Sequence, residues 1–238
     1  MKKIHVWVRA VIQLLYFLFI PSAYTAAFNG VKYIFTQMGA KTHLEVTSFV
    51  AALIVLCVYT IVFGRFFCGF ACAFGSLGDA VRALYVFICK KLKKKPITMK
   101  AAVVKKLKVV KYFVLAIIAV TCFTGVYSKA KGFSPWDVFS MLHARNFKLG
   151  GYTLGVVLLV LIVIGMCFQE RFFCRVLCPM GAVFSILPVL PFSTLRRDRS
   201  ECIKGCRACT MKCPSDIELA PDTAPELSGD CFQCQKCI

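Results

Sequence analysis

A chain of 238 residues that is 59% hydrophobic and 17% charged carries more apolar surface than one soluble core of that size absorbs. It reads as a membrane protein, and the same figures exclude a disordered chain, which low hydrophobicity would mark. Thirty Lys and Arg against eleven Asp and Glu give a formal charge of +19, with 15 cysteines counted as neutral; each thiolate ligand among them would lower that charge.

Four apolar segments, 6–28, 46–64, 109–128 and 152–169, approach the ~20 residues that a helix needs to cross the hydrocarbon core. No strand-like alternation competes, and helices satisfy their backbone groups in lipid. The first segment follows Met1-Lys2-Lys3 and is read as a retained span, not a cleaved leader. Apolar stretches 73–89 and 179–194 contain Asp79 and Arg82, and Pro188 and Pro191, so they are expected to lie at the interface or to insert partly.

Between Arg82 and Lys111 stand eleven Lys or Arg and no acid, which predicts a cytoplasmic loop and both termini on the cytoplasmic side of a multi-pass inner (cytoplasmic) membrane protein. The outer loops, 29–45 and 129–151, offer His43, Asp137 and His143 as proton acceptors for quinol chemistry, each weighed against an ordinary loop role. Residues Phe133 to Phe139 read equally well as an aromatic interface anchor.

An internal repeat organises the chain. Gly64-Arg65-Phe66-Phe67-Cys68-Gly69-Phe70-Ala71-Cys72-Ala73-Phe74-Gly75 returns 106 residues later as Glu170-Arg171-Phe172-Phe173-Cys174-Arg175-Val176-Leu177-Cys178-Pro179-Met180-Gly181. Each copy follows a pair of apolar segments, so both cysteine pairs are expected on one side of the membrane and the repeats are parallel. The predicted architecture is an all-α integral membrane bundle of about four transmembrane helices over residues 1–195, in repeats 1–90 and 109–195. A small cytoplasmic ferredoxin-like domain over 196–238 completes it.

Seven cysteines crowd into that tail: Cys202, Cys206, Cys209 and Cys213-Pro214, then Cys231, Cys234 and Cys237. The run matches two-cluster ferredoxins, in which three closely spaced thiolates hold one iron–sulfur cube and the cysteine before proline crosses to the other. By that rule one [4Fe-4S] cluster takes Cys231, Cys234, Cys237 and Cys213. The second takes Cys202, Cys206 and Cys209 and lacks its fourth ligand in this sequence, so the run is expected to continue past Ile238. Tetrahedral zinc is the alternative for paired Cys-x2-Cys, and the Cys-x3-Cys-Pro ending fits it less well.

Cys68 with Cys72 and Cys174 with Cys178, spaced i, i+4 at a helix end, place each pair's sulfurs on one face. Together they make a four-thiolate set for one further cluster at the membrane boundary, against the alternative that they pack as small apolar side chains. Cys57, Cys89, Cys122 and Cys167 lie in apolar runs without partner spacing and read as packing residues.

These motifs resemble the membrane-bound polyferredoxins typified by NapH and the C-terminal half of NosR, with the Cys174 to Pro179 segment matching their Cys-x3-Cys-Pro motif in full and Ala73 departing from it. The resemblance spans nearly the whole chain. It implies an electron-transfer subunit working between the quinone pool or a cytoplasmic donor and a partner redox protein, flavin-bearing or extracytoplasmic. A quinol dehydrogenase subunit is its strongest enzymatic form, and an assembly or redox-sensing membrane protein is the alternative. The near absence of ionisable residues in the spans argues against a transporter, and the basic run lacks the aromatic interleaving that stacks nucleic-acid bases.

Overall fold

A computed structural model of the chain describes residues 2–19, 22–99, 101–128, 131–147, 150–190, 208–215, 217 and 228–237. Among the described residues all regular structure is helical. Helices α1 (Lys2–Phe19) and α2 (Ala23–Ala40) stand on either side of Pro21, and their axes differ by 61°. Helix α3 (Ser48–Phe63) ends at Gly64 and leads into a short α4 (Phe66–Phe70) and then α5 (Ala73–Lys91). Next come α6 (Ala101–Leu107), α7 (Val110–Phe123) and α8 (Pro135–His143), the last capped by Ser134 Oγ, which accepts from the Asp137 N–H. Helix α9 (Thr153–Phe168) runs to a π-type turn, Phe173–Leu177, and α10 (Pro179–Ile186); α11 (Ala208–Lys212) belongs to the tail.

The helices are shorter than the apolar runs that encode them. Helices α3 and α9 have 16 residues and α7 has 14, about 24 and 21 Å of rise against a hydrocarbon core of ~30 Å. Among the described residues no single helix is long and apolar enough to cross a membrane, and the bent α1–α2 pair meets that test together. Local backbone sets the limits: Gly64 at φ 65° closes α3, and Gly125 at φ 71° follows α7. The expected interfacial stretch 73–89 lies within one continuous helix, α5. The stretch from 179 is helical only to Ile186, because Leu187 is extended before Pro188, as proline requires of its predecessor.

Helix α2 packs on α3 and α7, α5 packs on α9 and α1, and α10 packs on α7. At their centre the Phe74 ring stacks on Phe173 at 4.4 Å and meets Phe139 at 4.0 Å, while Phe28 stands edge-on to Trp136 at 5.4 Å. Phe74 belongs to the first motif copy and Phe173 to the second, so the two repeats share one core.

Candidate metal centre

Each motif copy turns sharply between its two cysteines. Cys68 lies in α4 and Cys72 caps α5; Cys174 lies in the π-type turn and Cys178 caps α10. The caps are conformational twins, with φ −71° and ψ 123° at Cys72 and φ −71° and ψ 114° at Cys178. The second cysteine of each pair thus sits at the start of a new helix instead of one turn further along the first. Cys178 Sγ accepts the Gly181 N–H at 3.1 Å, and a helix N-terminus favours a thiolate there.

All four thiols are buried in one cluster. Burial, then the nearby Cys68 and Cys178, pushes Cys72 up to about 12. Burial and Cys68 take Cys178 to about 11, against the pull of the Gly181 N–H, Tyr24 and Arg65. Burial first and Cys72 next raise Cys174 as well. As bare thiols Cys72, Cys174 and Cys178 stay neutral, and a metal must displace their protons to bind. Among the described residues no three Cys, His, Asp or Glu side chains form a group able to hold a single metal ion; an iron–sulfur cube spreads its cysteines over separate irons.

Two arginines complete the centre, and the motif repeat was the signal that could have found them. Arg65 and Arg171 are each 1% exposed. Arg171 donates to the carbonyls of Cys68 and Gly69 in the other repeat and to Asp79, with Nη2 2.5 Å from Oδ2. Arg9 and Gln13 of α1 bind the same carboxylate at 2.5 and 2.8 Å. Burial opposes the Arg65 charge, yet Cys68, Asp230 and the second cysteine pair raise its pKa overall. Arg65 and Arg171, with the buried Lys111 and Arg175, make this core rich in cations, which suits an anionic cluster held by the four thiols.

The glycines of the repeat make room for these arginines. A Cβ on Gly75 would stand 2.8 Å from the Cys68 carbonyl and 3.0 Å from Arg171 Nη1; one on Gly181 would stand 2.8 Å from Arg65 Nη2 and 3.0 Å from the Cys174 carbonyl.

In the tail, Cys202 and Cys206 lie outside the described residues. Cys234, Cys213 and Cys209 all act on Cys237, which burial first and these neighbours next raise to about 11. Cys209 Sγ is 3.7 Å from the Cys237 carbonyl, so Cys209 is gathered with the residues assigned to the other cube. Phe232 is 2% exposed within the bundle core, and Cys234 packs against it.

The remaining sequence candidates are scattered. His43 is exposed, Asp137 pairs with Lys32 at 3.6 Å, and His143 packs edge-on against Phe17 at 4.9 Å. Cys89 and Cys122 are buried, and Cys57 and Cys167 are half-buried.

A family described as a 4Fe-4S binding domain matches residues 46–96 and 152–190, the two segments that carry the paired cysteines and the arginines. An uncharacterized protein of Methanocaldococcus jannaschii is 33% identical over 181 residues, covering 76% of this chain and 64% of that protein. The ferredoxin-type protein NapH of Haemophilus influenzae is 25% identical over 210 residues, 84% of this chain and 67% of NapH. The regulatory protein NosR of Pseudomonas aeruginosa is 26% identical over 172 residues, 72% of this chain and 23% of NosR. No solved structure matches. These matches make the chain similar to the ferredoxin-type proteins of the NapH/NosR kind, with two of its segments matching a 4Fe-4S binding domain.

Proposed function

We propose that this protein is a membrane-bound iron–sulfur electron-transfer subunit, passing electrons between the quinone pool or a cytoplasmic donor and a partner redox protein. The observation that carries the reading is the convergence of Cys68, Cys72, Cys174 and Cys178 beside buried Arg65 and Arg171, inside the segments that match a 4Fe-4S binding domain. Those four cysteines are the ligands of a cluster at the bundle edge. Cys213, Cys231, Cys234 and Cys237 hold a tail cluster, and Cys202, Cys206 and Cys209 belong to another. Bound clusters supply reversible one-electron chemistry; the chain supplies thiolates, compensating guanidinium groups and a shell of aromatic rings that keeps water out.

The membrane reading rests on outward apolar faces. Ile117 and Val120 of α7, Val55 of α3 and Leu161 of α9 are each more than half exposed, a pattern that lipid stabilises and water does not. The lysine run at the end of α5 is exposed, and we read it as a cytoplasmic flank. We assign the quinone to an apolar cavity of about 530 Å³ whose walls include Ile118, Tyr127, Trp136, Ile162, Phe172 and Leu177. Phe172 and Leu177 flank Cys174 in sequence, which brings the cavity wall within two residues of the second cysteine pair.

The test is anaerobic purification, reduction with dithionite and mixing with a soluble quinone analogue or a flavoprotein. Bleached chromophore should reoxidise in step with reduction of the acceptor. Reduced protein that passes electrons to neither overturns the reading and favours an assembly or redox-sensing role, the direction in which the P. aeruginosa relative's name as a regulatory protein points.

A further inference from the structure

The two repeats neutralise their buried arginines differently. Asp79 of the first repeat meets Arg171 of the second. The position 106 residues beyond Asp79 is Ser185, which brings no charge to Arg65. Arg65 Nη1 reaches Ser185 Oγ at 3.2 Å and, beside it, Asp230 Oδ1 at 3.3 Å. Lys111 Nζ binds that same oxygen at 2.6 Å and Ser185 Oγ at 2.6 Å. Asp230 comes from the tail, so a carboxylate 45 residues downstream of Ser185 stands where the first repeat uses its own.

The residues after Asp230 continue the contact. Phe232 lies under both guanidinium groups, with ring centroid distances of 4.9 Å to Arg65 and 5.5 Å to Arg171. Gly69 admits the tail segment: a Cβ there would overlap the Phe232 carbonyl and lie 3.8 Å from Cys234 Cα. Its counterpart in the second repeat is Arg175, so the seat exists on one repeat only. Gly229 likewise has no room for a Cβ against the Ser185 carbonyl. Lys236 pairs with Glu170, whose counterpart Gly64 has no charge to offer.

We infer that Asp230 and Phe232 are positioning residues that latch the tail onto the arginine pair and hold the Cys231 to Cys234 run against the Cys68 loop, so that electrons pass directly between the tail and bundle-edge centres. This rests on the ligand assignment proposed above. One electron leaves one centre and enters the other, no bond forms or breaks, and no proton moves. The latch residues alternate with the thiolates they deliver, so docking and ligand placement are one act.

The test uses the full chain, purified anaerobically, with Asp230→Asn, Asp230→Glu, Phe232→Leu and the double variant Ser185→Asp with Asp230→Asn. Iron content and thermal midpoint are followed together with two readouts of the contact: hydrogen exchange at residues 228–234, and that part of the spin–spin broadening in the EPR spectrum of fully reduced protein which Cys68→Ser removes, since the two tail clusters also couple to each other. Asp230→Asn and Phe232→Leu should lose exchange protection at 228–234 and lose the broadening at unchanged iron content, while Asp230→Glu retains both in part. The double variant should regain the thermal midpoint, because Asp at 185 neutralises Arg65 from within the repeat, and still lack protection and broadening. If Asp230→Asn and Phe232→Leu keep both signals, or the unaltered protein shows no such broadening with all centres reduced, the latch is not the electron path. A protein whose iron is insensitive to Cys68→Ser and Cys174→Ser instead refutes the ligand assignment, and the exchange data then still report whether the tail is latched.

Discussion

Replacing Asp79 with alanine leaves Arg171, fully buried at its side chain, and Arg9, 10% exposed, facing each other without the carboxylate that separates them. Removing one member of a buried ion pair costs about 3–5 kcal/mol, because the remaining charge stays desolvated. Asp79 is itself 16% exposed and Arg171 keeps its bonds to the Cys68 and Gly69 carbonyls, which places the loss near the lower end, about 3 kcal/mol. For a chain of this size that lowers the thermal midpoint by roughly 6–12 °C. The assay is tryptophan fluorescence against temperature in detergent micelles at one fixed scan rate, since irreversible unfolding makes the midpoint rate-dependent. Glu45→Ala is the control: Glu45 is exposed, so the change should stay within about 0.5 kcal/mol. An Asp79→Ala protein that melts with its parent would refute the view that Asp79 is the counter-charge of the centre.

Gly75→Ala and Gly181→Ala should each lower the iron bound per chain, measured by elemental analysis, because the new methyl group pushes an arginine and a cysteine-bearing turn apart. The pH response of Asp79 has a defined sign. Burial raises its carboxyl, but Arg171 and Arg9 outweigh burial and hold it at about 2, below the ordinary 3.8; its contribution of about 2 kcal/mol is complete above pH ~5 and is lost as pH falls from ~4 towards 2. Melting curves across that range should show the loss, and Asp79→Asn should flatten it. Leu158→Trp, which fills the apolar cavity from its open side, should slow reoxidation by a quinone analogue while iron content stays constant.

The helical class was legible because apolar runs of this length admit little else, and the four paired cysteines because one motif occurs twice. Helix ends were less legible: hydropathy continues through Gly125 to Val126 and Tyr127, whereas the backbone turns at Gly125. Spacing pointed to two sulfurs on one helical face. The turn at Ala71 makes Cys72 the cap of the next helix, a change that i, i+4 counting does not register. Arg65 and Arg171 stood in the repeated motif and passed unnoticed because a buried arginine looks like any other until its partners are placed. Those partners cross between repeats or come from the tail: Arg171 to Asp79 is 92 residues and Arg65 to Asp230 is 165. The mismatch of Asp79 with Ser185 lies four residues past the two motif copies, and its consequence depends on Asp230, which stands beside Arg65 and is remote from it in sequence.

Iron and acid-labile sulfide in anaerobically purified protein, compared with Cys68→Ser, Cys174→Ser and Cys234→Ser variants, test the central claim most directly. The unaltered protein should be coloured and carry both elements. Either bundle variant should lose one cluster's worth while the tail signal persists, and Cys234→Ser should do the reverse. A colourless protein holding only zinc or free thiols, or iron that no bundle variant diminishes, would contradict a redox centre built from the two repeats.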